Sequence, residues 1–348
     1  MATGEPSSEL GELLALSERL GRDTSLVQGP GGNTSLKRDG IMTIKASGTW
    51  LSQARERSIM VPVRLAPLLE AMERDDPGTE TCESFVVPED NPAGLRPSIE
   101  TTLHAALPHR IVLHVHCVET IAWAAREDAA TALAGKLQGF DWAFVPYRRP
   151  GRPLTRAVLA ALRPGVSVLV LGNHGLVVGG DTPSEAEALL AAVRERLRLP
   201  PRPAKAADLD ALEAVGKGSF YRPAKDPAAH ATATDPASFL IAVGGSFYPD
   251  HVIFLGPAAV PLKPGVAPDE MAALAGRPSL PMLLVEGAGV LMQENATAGA
   301  HALARCLADV TARIDPQHRL RFLTAEEEDA LVNWDAEKYR QALDRSAR

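Results

Sequence analysis

Ile111-Val112-Leu113-His114-Val115-His116 is the stretch on which the reading of this chain turns. Its β-branched and apolar residues predict a buried strand. Strand side chains alternate faces, so His114 and His116, two apart, point the same way. A third histidine follows another apolar run, in Leu171-Gly172-Asn173-His174-Gly175. Three imidazoles meeting from two strand ends would offer a three-nitrogen face to a divalent metal and leave a position open for substrate. His-x-His is a short pattern. On spacing alone the alternative stays open, three unrelated core or surface histidines.

Outward from this stretch, helices and strands alternate. Ser7 or Ser8 caps a helix carrying Leu10, Leu13, Leu14 and Leu20 at helical spacing, and Gly21 ends it. Gln28-Gly29-Pro30-Gly31-Gly32-Asn33-Thr34-Ser35 is a glycine turn feeding a strand, and Ile41 to Lys45 returns as a hairpin partner. Helices are expected over 63–73, 100–107, 119–126 and 182–197, and a buried strand over 167–171, continuing through 176–178. Pro200-Pro201-Arg202-Pro203 marks a boundary. The expected organisation is a first domain over 1–199, a Pro/Ala-rich linker over 200–236 and a smaller C-terminal α/β domain over 237–348. That last domain is read with strands at 252–255 and 283–285 and helices at 298–314 and 325–343.

One internal echo stands out. Leu171-Gly172-Asn173-His174-Gly175 and Val285-Glu286-Gly287-Ala288-Gly289 share strand, turn, glycine and following helix, with Ala288 in the histidine slot. The C-terminal domain is therefore read as a degenerate, metal-free copy of part of the first. The alternative is that strand-turn-strand-helix is simply a common module.

Composition narrows the function. The chain has 348 residues, 45% of them hydrophobic, enough for about two domains with a large core. A net charge of −7 without a basic stripe excludes a nucleic-acid partner. No window approaches about 18 uninterrupted apolar residues, so no membrane partner is expected. Cys82, Cys117 and Cys306 form no Cys-x-x-Cys pair and fit a reducing cytoplasm, and Met1 to Glu9 lacks the features of a signal peptide.

Two further groups of residues bear on chemistry. Glu100 opens a helix shortly before the histidine strand, where a carboxylate can be a fourth ligand or a general base. Helix-opening glutamates more often serve the helix dipole alone. His104, four residues later on the same helical face, could join the site but is left out as a packing or hydrogen-bonding residue. Gly31-Gly32-Asn33-Thr34-Ser35, Ser47-Gly48-Thr49 and Ser98 are amide- and hydroxyl-rich and could receive a phosphate, with Lys45 adding a charge. Read blandly, these are ordinary hairpin turns.

The ordered set Gly31-Gly32-Asn33-Thr34-Ser35, Ser47-Gly48, Pro97-Ser98-Ile99-Glu100 with His104, His114-Val115-His116, Pro146-Tyr147, Pro150-Gly151 and His174-Gly175 with Gly180 resembles class II aldolase/adducin domains over residues 8–198. Lys45-Ala46-Ser47-Gly48, Arg96-Pro97-Ser98 and Tyr147-Arg148-Arg149 look most like the aldolase part of bifunctional rhamnulose-phosphate aldolase/alcohol dehydrogenases. Pro249-Asp250-His251-Val252-Ile253 and Asn333-Trp334 are similar to those longer proteins too.

The resemblance implies a three-layer α/β/α fold with a mixed central sheet. It implies zinc, or a similar divalent ion, on His114, His116 and His174, and Glu100 as the acid/base. Asn33, Ser47, Gly48 and Ser98 would hold the phosphate of a small sugar substrate. The implied reaction is an aldehyde-lyase cleavage of a C–C bond through a metal-stabilised enediolate, in a cytoplasmic homo-oligomer, often a tetramer. Decarboxylases and dehydratases of the same family, and a non-catalytic adducin-like binding module, are the alternatives. Two departures stand out. Ile99 occupies the place of a second serine, and no tyrosine lies between His116 and Pro146 to protonate a leaving oxygen.

Overall fold

A computed structural model describes residues 8–275 and 280–346. These fall into two compact units. One runs up to Thr120 and adds Ala130–Leu197, and the other is Ile121–Ala129 with Arg198 onward.

The first stretch of chain runs α1 (Ser8–Arg22), β1 (Asn33–Arg38), β2 (Ile41–Lys45), β3 (Met60–Arg64), α2 (Leu65–Glu73), α3 (Thr101–Ala106) and β4 (Ile111–Val115). It continues through α4 (Val118–Ala124), α5 (Ala129–Lys136), β5 (Trp142–Val145), α6 (Arg152–Ala161), β6 (Val168–Leu171), β7 (Gly175–Gly180) and α7 (Pro183–Leu197). The strands form one seven-stranded mixed sheet in the order β3-β2-β1-β4-β7-β6-β5. Only β5 and β6 run parallel; the other neighbours are antiparallel. Helices α1 and α7 pack together on the sheet, and α2, α3 and α6 form a second helical group.

The alternation in β4 sorts its residues between these groups. Val112 joins Leu103, Leu107, Leu154, Val158, Leu169 and Val177 in the core beneath α3 and α6. His114 lies two residues on, on that same face. The β1–β4 register pairs Asn33 with His114 and Ser35 with Val112, so Asn33 and Ser35 share this face as well.

Lys37 is the one lysine of β1, and its ammonium donates to the Leu107 carbonyl. Burial pushes its pKa down to about 7, against about 10.4 for a lysine in an unfolded chain. Between those values the unfolded chain binds the extra proton, so this group's contribution makes stability rise with pH from about 7 to 10. Lys37→Met, which loses one hydrogen bond but no longer buries a charge, is expected to stabilise the protein by about 1–3 kcal/mol near pH 7. It should also flatten that rise, as denaturant melts at pH 7 and 10 would show.

The second unit carries α8 (Leu209–Gly216), β8 (Tyr221–Pro223), α9 (Ala231–Thr234), α10 (Pro236–Val243), α11 (Pro249–Leu255), β9 (Val260–Pro261) and α12 (Pro268–Leu274). β10 (Met282–Val285), β11 (Gly289–Gln293), α13 (Ala298–Thr311), α14 (Ala325–Val332) and α15 (Asp335–Ser346) complete it. Its four strands form a separate sheet, β8-β11-β10-β9. The Pro/Ala-rich segment 200–236 thus holds α8, β8 and α9.

The strand expected at 252–255 is a helix. Pro249 opens it, Gly256 closes it at φ 85°, and every residue of α11 is buried. A short apolar run buried on all sides has no periodicity to separate strand from helix. The helix expected over 325–343 is two. A Thr324–Glu327 capping box starts α14, and Asn333 ends it. No helix among the described residues is long and apolar enough to cross a membrane.

Candidate metal centre

The β6–β7 turn brings His174 to the end of β4. Asn173 takes a left-handed conformation, φ 51°, to make the three-residue turn from Leu171 to Gly175. The ring centroids of His114, His116 and His174 lie 4.9–5.2 Å apart. One nitrogen from each ring lies within 4.8 Å of the other two, and all three residues are buried. His114 Nε2 and His116 Nε2 are 3.2 Å apart. Nitrogens bound to one tetrahedral ion at ~2.0–2.1 Å would sit about 3.3 Å from each other, so this donor set fits a divalent metal. The other nitrogen of His114 lies 3.1 Å from the Leu176 carbonyl, which fixes the ring and leaves Nε2 toward the centre.

Glu100 completes the cluster. It stands at the N-cap position of α3 but its side chain makes no capping bond. The carboxylate turns to the histidines instead, with Oε2 3.3 Å from His114 Nε2 and Oε1 3.5 Å from His174 Nε2. Asn33 Nδ2 holds it there, donating to Glu100 Oε2 at 2.8 Å and to Ser98 Oγ at 3.2 Å. Burial pushes the Glu100 carboxyl up, but His114, His174 and the Asn33 hydrogen bond together bring it down to about 2. The rings pull in that direction only as imidazolium.

A family model, the Class II Aldolase and Adducin N-terminal domain, matches residues 11–199. The chain belongs to that family. A curated relative, the "Uncharacterized oxidoreductase YuxG" of Bacillus subtilis (strain 168), is 29% identical over 186 residues, 49% of this chain. The match spans only 26% of that protein's length. Among solved structures, the N-terminal class II aldolase domain of a conserved protein from Thermoplasma acidophilum is 28% identical, with a TM-score of 0.48. It covers 57% of this chain and 95% of that one. L-fuculose-1-phosphate aldolase from Thermus thermophilus is 17% identical, with a TM-score of 0.37, covering 53% of this chain and 92% of that one.

In this class II aldolase/adducin domain two of the residues read as phosphate contacts, Asn33 and Ser98, meet Glu100. Asn33 commits its amide nitrogen to Glu100 and Ser98. Ser98 Oγ accepts from Asn33 and from the Glu100 N–H, and keeps its own proton to donate. Ser47 Oγ is buried without a hydrogen bond among the described residues, and Gly48 follows at φ 73°.

Lys45 does more than add a charge. Its ammonium donates to the Pro30 and Gly32 carbonyls, 2.8 Å each, while its own carbonyl accepts from Ser98 N–H. It clamps the glycine turn to the segment that carries Ser98. The signal for this was strand parity: Met42 and Ile44 are core residues, which sends Lys45 to the other face of β2. His104, read as a packing or hydrogen-bonding residue, pairs its Nδ1 with Ser35 Oγ at 2.7 Å. Burial, with His114 nearby, pushes its imidazole down to about 3, so it stays neutral.

Gly175 makes room for the cluster. A Cβ there would lie 2.5 Å from the Val115 carbonyl oxygen and 3.3 Å from the His114 ring. Backbone cannot yield cheaply, so Gly175→Ala is expected to destabilise by about 1–3 kcal/mol. The displaced carbonyl lies between two of the three histidines, and metal retention should fall by about 10–100-fold. A thermal melt and metal analysis of the variant check both effects.

Proposed function

We propose that this chain is a divalent-metal-dependent lyase that breaks or forms a carbon–carbon bond in a sugar phosphate or related hydroxy-ketone. The observation that carries this reading is the approach of three imidazole nitrogens to within 4.8 Å, with a buried carboxylate against two of the rings. An ion held by His114, His116 and His174, zinc or another divalent metal, would supply a Lewis acid for the negative charge that bond cleavage leaves on the substrate.

The chain's own residues supply the rest. Glu100 moves the proton at the reacting carbon, and its Oε1, which accepts no hydrogen bond among the described residues, is the oxygen left to receive it. Asn33 holds Oε2 and so fixes the carboxylate's orientation. Asn33, Ser47, Gly48 and Ser98 would line the phosphate position, with the Ser47 and Ser98 hydroxyls as donors not already committed. The free thiols of Cys82, Cys117 and Cys306 support a reducing cytoplasm. The family resemblance supports a homo-oligomer.

One observation favours a second reading. No tyrosine occurs between His116 and Pro146 to protonate a departing oxygen. Decarboxylation of a β-keto acid leaves the same enolate-type charge to be stabilised but needs no such donor. The metal-reconstituted full chain should be incubated with dihydroxyacetone phosphate and a panel of small aldehydes, and separately with keto acids. Formation of a ketose phosphate supports the aldolase. Release of carbon dioxide moves the assignment to a decarboxylase. Inertness of the metal-loaded protein toward both panels sinks the lyase and leaves a binding module.

A further inference from the structure

The second unit repeats the metal-bearing half of the first, strand for strand. In the first unit β4 lies beside β7 antiparallel, β7 beside β6 antiparallel, and β6 beside β5 parallel. In the second, β8 lies beside β11 antiparallel, β11 beside β10 antiparallel, and β10 beside β9 parallel. Chain order, sheet order and direction all agree. The parallel pair is joined through α6 in one unit and α12 in the other, and the last strand leads into α7 or α13.

The hairpins match in detail. Gly172-Asn173-His174 and Glu286-Gly287-Ala288 are both three-residue turns. The middle residue is left-handed in each, Asn173 at φ 51° and Gly287 at φ 74°. Each turn is followed by a glycine that opens the returning strand, Gly175 or Gly289.

Register then identifies the equivalent of each candidate ligand. Val177, two residues after Gly175, lies opposite His114, and Leu291, two after Gly289, lies opposite Pro223. Pro223 therefore stands where His114 does, Lys225 where His116 does, and Ala288 where His174 does. A proline, an exposed lysine and an alanine offer no ligand set.

An imidazole is nevertheless present at this place, and it comes from elsewhere in the chain. His230 Nδ1 accepts from the Val290 N–H at 3.0 Å, and its Nε2 lies 3.0 Å from the Ala224 carbonyl and donates to it. The ring thus bridges the end of β8 to β11. It sits so close to Gly289 that a Cβ there would be 2.6 Å from Nδ1, as a Cβ on Gly175 would meet the His114 ring. Leu212 of α8 packs against the same spot.

We propose that the second unit is a metal-free duplicate of the β4–α7 half of the first, in which the His230 imidazole ties together the strand ends that a metal ties in the first. The metal half of this statement rests on the function proposed above; the His230 clasp does not. The chain then binds one metal ion, and residues 198–348 contribute a silent copy rather than a second active centre.

Hydrogen exchange on the full chain, read by mass spectrometry, separates the two halves. Chelation is expected to speed exchange in peptides covering β4 and the β6–β7 turn and to leave β8, β10 and β11 unchanged. His230→Ala should speed exchange at Ala224 and Val290 by about tenfold or more, the effect of losing two buried hydrogen bonds. First-unit peptides and metal content should not change. His230→Gln, which offers one donor and one acceptor, should restore most of the protection, and it decides the matter if the alanine variant fails to fold.

A second equivalent of metal per chain overturns the proposal, as does chelation that deprotects β10 and β11. Unchanged protection in His230→Ala, or a glutamine variant no better than alanine, removes the clasp. A chelator that affects neither unit overturns the metal reading while the His230 variants still decide the clasp.

Discussion

Glu100→Gln is expected to keep its metal and lose turnover by about 10²–10⁴-fold, the range for removing a positioned general acid/base. The substitution preserves size and the backbone of α3. A glutamine oxygen can still accept from Asn33 Nδ2, which now holds Glu100 Oε2 at 2.8 Å. What disappears is the group that exchanges a proton at the reacting carbon. KM should change less than kcat, because Glu100 is read as moving a proton and not as holding the phosphate. Solvent deuterium incorporation at the substrate carbon isolates that step. Undiminished incorporation would remove Glu100 from the chemistry. Loss of metal along with activity would make it a ligand instead.

His116→Ala is expected to lower metal affinity by more than about 100-fold, beyond what removal of a neighbouring hydrogen-bond partner does to a metal site. The fold should survive. His116 follows the last residue of β4, and the core beneath α3 and α6 is made by Val112 and its neighbours. The variant should therefore elute and melt like the wild type stripped of metal, and added zinc should raise the wild-type melting temperature only. A variant that retains full metal at equal affinity would contradict the ligand set. One that cannot fold would show that the ring serves the strand end itself.

Much of the first unit was legible because its signals are local. The β-branched run around His114 and the Leu171–Gly175 turn carry strand and turn information within a few residues, and the parity of β4 put two imidazoles on one face. What Glu100 does was not local. Its carboxylate is turned by Asn33, which reaches it only because β1 pairs with β4 in a register that sets Asn33 against His114. Spacing along the chain has no access to that register. Parity places Lys45 off the core face of β2, but its partners Pro30 and Gly32, in a turn across the hairpin, lie beyond what spacing shows. The α11 segment failed differently: buried on every side, it gives no periodicity to read. The second unit also takes in Ile121–Ala129, tied by an Arg126–Leu320 bridge that no local composition announces.

Anomalous diffraction at the metal edge from crystals of the reconstituted protein tests the central claim most directly. The account predicts a single peak per chain, bonded to one nitrogen from each of His114, His116 and His174 at ~2.0–2.1 Å, with Glu100 alongside. No peak at that place after reconstitution, or a metal held by other residues, would contradict it.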